Sequence, residues 1–153
     1  RRQLMKAFFI VTLIFLSACR EEASSFEVAR IIDNETDHNI RIIAYNGEFV
    51  SQTITIAPFE SDTANAICET ARGSLAFCDL VFSLDHDSVT VLFDETRYIT
   101  YCSQQFGCTI NGKNIMELNP FRNNEDGYEE VSKSVFAFPI TEEDYNLAEP
   151  IGG

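Results

Sequence analysis

Tryptophan is missing from this chain, and only two of its 153 residues are histidine. The first absence removes the best aromatic platform for stacking on sugars, although 13 Phe and 5 Tyr remain. The second leaves little for acid–base or nucleophilic chemistry, because His38 and His86 both sit inside acidic, turn-like clusters where solvated side chains are expected. No Gly-x-Ser-x-Gly, His-Glu-x-x-His or phosphate-cradling glycine loop occurs. Basic residues are scarce as well, 11 against 24 acids, for a formal net charge of −13. Such a surface repels nucleic acid and anionic lipid headgroups, so no nucleic-acid partner is expected. Long apolar runs are lacking too. The run from Ala7 to Leu16 is about half of the roughly 20 residues that a membrane-spanning helix needs.

What that run does have is context. Arg1, Arg2 and Lys6 precede it, and the small residues Ser17 and Ala18 lead from it into Cys19, which is the charged, apolar and small-residue order of a secretory signal. Leu16-Ser17-Ala18-Cys19 resembles the lipobox of bacterial lipoproteins. The resemblance implies that the Cys19 thiol receives a diacylglycerol, that the peptide is cut just before it, and that the new amino terminus is acylated. The expected organisation is a signal peptide over 1–18, a polar tether over 19–25 and a single β domain over 26–153. Met5 stands where an initiator is expected, so Arg1 to Leu4 read as an upstream extension. Losing Arg1, Arg2 and Lys6 with the signal takes the formal charge from −13 to about −16. Arg20-Glu21-Glu22 resembles the export signal of Bacteroidota surface lipoproteins, and the absence of aspartate after Cys19 is compatible with transfer to an outer membrane.

Beyond the tether the pattern turns to period two. A first strand is expected from Phe26 to Ile32, ended by the polar cluster Asp33 to Asn39. Runs at 40–45 and 49–56 flank Asn46-Gly47, a type I′ hairpin signal, with Val50, Ile54 and Ile56 on one face. Pro58 closes the second run, since proline cannot donate to a ladder. Between Ser61 and Gly73 the apolar residues Ala64, Ile67, Cys68 and Ala71 fall at helical spacing, which predicts a short helix or a long loop. Strands are then expected over 75–84, 88–93 and 97–102, with turns at Asp85-His86-Asp87 and Asp94-Glu95. A hairpin is expected at Asn111-Gly112, an irregular stretch from Asn119 to Gly127, and a strand from Tyr128 to Pro139 with Phe136 and Phe138 on one face. Thr141 followed by Glu142, Glu143 and Asp144 reads as a capped first helical turn. Short strands at this spacing define an all-β fold, an antiparallel sandwich or barrel of about 7–8 short strands with at most short helices. The segments 87–94, 97–101 and 140–145 are similar to those of small Bacteroidota lipoproteins, a group that carries no established catalytic residues.

Four cysteines remain beyond Cys19: Cys68, Cys78, Cys102 and Cys108. An even number behind a signal peptide implies disulfides in an oxidising compartment. Three connectivities are open, and local pairing, Cys68 with Cys78 and Cys102 with Cys108, is the expected one. Zinc usually takes closer pairs such as Cys-x2-Cys, so no cysteine metal site is expected. Asp33, Glu35 and Asp37 alternate as calcium-loop ligands do, but His38 replaces the glycine and Ala44 the closing glutamate, so no metal or cofactor is assigned. The expected function is a lipid-anchored module of the bacterial envelope, on the outer membrane and exposed at the surface. It binds or supports without being an enzyme, with the membrane as partner through the anchor and an envelope protein or glycan as further partners. The alternative is an envelope hydrolase using paired carboxylates or a metal.

Overall fold

A computed structural model describes residues 25–69, 77–78, 86–102, 112–118 and 127–152. The signal segment, Cys19, Cys108 and most of the run 75–84 lie outside them. The described chain is two sheets packed face to face as a sandwich, with no closed barrel. Its elements are β1 (Ser25–Asn34), β2 (Ile40–Asn46), β3 (Phe49–Ile56), β4 (Ser61–Glu69), β5 (Phe77–Cys78), β6 (Ser88–Phe93), β7 (Arg97–Cys102), β8 (Glu129–Ser132), β9 (Val135–Ile140), α1 (Glu142–Leu147) and β10 (Glu149–Pro150). One sheet runs β5-β4-β1-β9-β8 and the other β10-β7-β6-β2-β3. Every pairing is antiparallel except β1 with β9, which is parallel. The sandwich is antiparallel-dominated, as expected, with this one parallel pair.

Alternation decides which faces meet. Val28 and Ile32 of β1, Phe136, Phe138 and Ile140 of β9, Ile40, Ile42 and Ala44 of β2, and Val89, Val91 and Phe93 of β6 are all buried in one core. The expected inward face of β6 is therefore the observed one. At about 25 cal/mol per Å² of apolar area, each of these side chains other than Ala44 contributes roughly 1.5–3 kcal/mol of burial. Ile115, Met116 and Tyr128 join the same core from outside the two sheets, and the Tyr128 hydroxyl donates to the Ile115 carbonyl at 2.6 Å.

From Ser61 to Glu69 the chain is neither helix nor loop, and residues 70–73 of that expected segment lie outside the described ones. The described part is β4, paired with β1 over nine residues from Ser25↔Glu69 to Asp33↔Ser61. Its half-buried positions Asp62, Ala64 and Ala66 alternate with the exposed Thr63, Asn65 and Ile67 and lead to the buried Cys68. Small side chains carry so little hydrophobic contrast that this period-two signal was outweighed by a chance helical spacing, and the pairing with β1 overrides local propensity.

Two hairpins also differ in detail from the expectation. The β2–β3 turn is Gly47-Glu48, one residue later than expected, with only Gly47 at positive φ (+58°). Glycine at the first central position is the requirement of a type II′ turn. A bulge between Ala44 and Tyr45 flips the end of β3, so Val50 is exposed rather than aligned with Ile54 and Ile56. Near the C-terminus the single strand expected from Tyr128 is a hairpin, β8 and β9, turning at Lys133-Ser134 with Ser134 at φ +60°. Neither turn residue is glycine or asparagine, which is why the run read as continuous. Helix α1 begins at Thr141 as expected, where Asp144 accepts from the Thr141 N–H at 2.8 Å and its hydroxyl at 3.1 Å. Gly112 has the positive φ of a turn (+77°), but Asn111 lies outside the described residues.

Candidate functional site

At the end of the sandwich where β1 stops, three segments converge: the loop from β1 to β2, the turn from β6 to β7, and α1. Asn34, buried at the last position of β1, builds the first of them. Its side-chain amide donates to the His38 carbonyl at 2.8 Å and the Ala57 carbonyl at 2.9 Å. Its oxygen accepts from the Thr36 N–H at 3.0 Å and hydroxyl at 2.7 Å. These bonds satisfy buried backbone groups that no ladder reaches, and they fix the loop that carries Asp37 and His38.

The second segment contributes Asp94. Both Asp94 (φ +47°) and Glu95 (φ +57°) are left-handed without being glycine, a conformation that costs energy unless the surroundings enforce it. Asp94 is tied to the Asn39 backbone twice: its N–H donates to the Asn39 carbonyl at 2.9 Å, and its side-chain Oδ1 accepts from the Asn39 N–H at 2.9 Å. Its other oxygen, Oδ2, lies 2.7 Å from His38 Nδ1. The bond to His38, then that from the Asn39 backbone, holds the Asp94 carboxyl below its ordinary range. An ionised Asp94 can only accept, so Nδ1 carries the hydrogen and Nε2 is the atom presented outward.

The third segment supplies the floor and one wall. Tyr145 of α1 stacks on the His38 ring at 3.7 Å between centroids and 19° between planes. Tyr145 in turn meets the edge of Phe93 at 5.6 Å. The Arg97 guanidinium sits 5.1 Å from the Tyr145 centroid and donates to the Tyr145 carbonyl at 2.9 Å. Facing Nε2 are Asp37 Oδ1 at 3.2 Å and Glu142 Oε2 at 3.9 Å. The Glu142 Oε1 atom accepts from the Asp37 N–H at 3.3 Å, leaving Oε2 turned toward the imidazole. Asp37, His38 and Glu142 thus place three ligand-type atoms within 4.8 Å of one another.

Of the three weak calcium candidates, only Asp37 belongs to this group. Asp33 lies on β1 and accepts from the Ser61 hydroxyl at 2.9 Å, and Glu35 points to solvent. His38 is not the solvated side chain expected of an acidic turn, with 19% of its side chain exposed. His86 lies toward the opposite end of β6, where its Nε2 is hydrogen-bonded to the Ser51 hydroxyl, and Asp87 accepts from the Gly47 N–H at 2.5 Å to hold the β2–β3 turn. Asp94, Glu142 and Tyr145 were not singled out from sequence as site residues. Only the capped acidic turn at Thr141 hinted that Glu142 would be held in place.

One further charge is buried in the core itself. Arg30 points inward from β1, is 1% exposed, and pairs with Asp62 at 3.4 Å. Burial draws its pKa below the ordinary value, opposed by the neighbouring Tyr128 and Asp62. Among the described residues, no helix is long and apolar enough to cross a membrane. Set against known proteins, the chain matches no family model, no curated protein and no solved structure.

Proposed function

We propose that this chain is a lipid-anchored protein of the bacterial envelope, a non-enzymatic β-sandwich that binds or supports rather than catalyses. The observation that carries the reading is the ordered N-terminal signal ending in Leu16-Ser17-Ala18-Cys19. Its companion is the position of β1, which begins at Ser25, a few residues after Cys19. A tether that short holds the start of β1 close to the bilayer. The ten residues of β1 then carry the chain about 33 Å away at roughly 3.3 Å per residue. The end bearing Asp37, His38, Asp94 and Glu142 is the end of β1 opposite the tether, and in this reading it is the end that a further envelope protein or a glycan reaches. The acidity of the mature chain keeps nucleic acid off this surface.

An oxidising compartment is part of the same reading, through two local disulfides, Cys68 to Cys78 and Cys102 to Cys108. In support, Cys68 and Cys78 are direct Cα partners across β4 and β5. Antiparallel partners lie about 4.5–5.5 Å apart at Cα, inside the range that a disulfide spans.

Expression with labelled palmitate in a bacterial host tests the anchor. The chain should take up label and sediment with membranes, and Cys19→Ser should be unlabelled and soluble, because stable attachment needs the acyl chains together. Label entering Cys19→Ser at the same level would defeat the proposal.

A further inference from the structure

We propose that Asp37, His38 and Glu142 form a binding site for one divalent transition-metal ion of the Zn²⁺ type. The histidine carries the argument. Its Nδ1 is committed to Asp94 at 2.7 Å and one ring face to Tyr145 at 3.7 Å, so ring rotation is blocked and Nε2 has one direction left. In that direction stand two carboxylate oxygens, at 3.2 and 3.9 Å.

The arrangement is that of a metal-ligating histidine whose other nitrogen is held by a carboxylate, the partner that fixes tautomer and raises ligand basicity. Zinc bonds of about 2.0–2.2 Å to nitrogen and oxygen put tetrahedral ligand atoms roughly 3.3–3.6 Å apart. The three atoms here already lie within 4.8 Å of one another, and Asp37 and Glu142 are exposed enough to close the difference by side-chain rotation. One imidazole and two carboxylates suit Zn²⁺ or a neighbouring first-row ion better than Ca²⁺, which takes six to eight oxygens. Three protein ligands leave at least one position for water or for a group on a partner.

Charge points the same way. Asp37, Asp94 and Glu142 surround a single imidazole, and the Arg97 guanidinium lies against Tyr145 with a hydrogen bond to that residue's carbonyl. A bound dication would offset this excess. It would also clip the β1–β2 loop to α1, residues that lie over a hundred positions apart in the chain.

The test is Zn²⁺ binding to the purified full-length chain in non-ionic detergent, by equilibrium dialysis and by thermal melting. One Zn²⁺ per chain is expected, with a rise in Tm that grows with Zn²⁺ concentration. His38→Gln should abolish both effects, and Glu142→Gln, a change at an exposed side chain, should weaken binding by at least tenfold without lowering the metal-free Tm. Asp94→Asn should weaken binding about 10–100-fold through loss of the histidine's orientation. Glu35→Gln, an exposed acid outside the cluster, should bind as the parent does. No uptake up to millimolar Zn²⁺ would overturn the proposal. Uptake unchanged in both His38→Gln and Glu142→Gln would overturn it equally.

Discussion

Thr90 and Thr100 stand opposite each other across β6 and β7 with their hydroxyls 3.0 Å apart, on the face of the sheet turned away from the core. Val91, the next residue, points the other way and is 1% exposed. Adjacent positions on one strand therefore face opposite fates. Val91→Asp forfeits roughly 1.5–3 kcal/mol of apolar burial and adds the larger cost of an unpaired buried charge, so the domain should fail to fold. Thr90→Asp keeps an acceptor opposite Thr100 and should cost about 1 kcal/mol or less. Urea unfolding followed by circular dichroism separates the two, and a reversed order would mean that the strand is in the other register.

The proposed disulfide pairing predicts that unreduced peptide maps contain Cys68 linked to Cys78 and Cys102 linked to Cys108. A loop as short as either contributes about 2–3 kcal/mol in the chain-entropy view, so reduction should lower the unfolding midpoint without abolishing the fold. A map showing Cys68 joined to Cys102 or Cys108 would refute the local pairing.

Alkaline pH should destabilise the protein through its two buried phenols. Burial raises the pKa of Tyr101, with Asp144 and Tyr128 adding to it, and burial raises that of Tyr128 against a small opposing effect of Arg30. Both hold their protons in the fold at pH values where the unfolded chain, near the ordinary value of about 10, has released them. Stability is therefore at its full value below about pH 10 and falls above it, by about 1.4 kcal/mol per pH unit for each tyrosine. Unfolding midpoints measured between pH 9 and 11.5 should show this slope, and Tyr128→Phe should roughly halve it.

Asn34→Ala removes a side chain that bonds two carbonyls and both donors of Thr36. Leaving buried backbone groups unpaired costs about 1–3 kcal/mol each, and a loss of roughly 2–4 kcal/mol is expected after partial relaxation. Asn34→Asp keeps the acceptor and should fall between. A denaturation series in which Asn34→Ala matches the parent would show that the loop does not depend on this residue.

Where the fold was legible, large apolar residues alternated with polar ones. Val89, Val91 and Phe93 announce β6, and Thr141 with its following acids announces α1. Where it was not, the contrast was weak or the partner distant. Ala64, Ala66 and Cys68 are too small to mark β4, and nothing local in Val135 to Ile140 says that its partner is a parallel β1. The site was hidden for the same reason. Asp37 drew attention beside Asp33 and Glu35, its sequence neighbours, whereas folding sets it beside Glu142. Asn34 and Arg30 sit at inward positions of β1 where alternation alone predicts apolar side chains.

The parallel pairing of β1 with β9 also sets an order of assembly. The first strand of the domain lies in the middle of its sheet, and one of its two neighbours is made more than a hundred residues later. A chain emerging N-terminus first can close the β2–β3 and β6–β7 hairpins early, since their strands are adjacent in sequence. The other sheet cannot complete its centre until Ile140 is free. Such non-local closure raises contact order and puts folding on the millisecond-to-second scale. A chain threaded through a narrow pore from its N-terminus would thus keep β1 without its parallel neighbour until β9 has passed, and complete this sheet only afterwards.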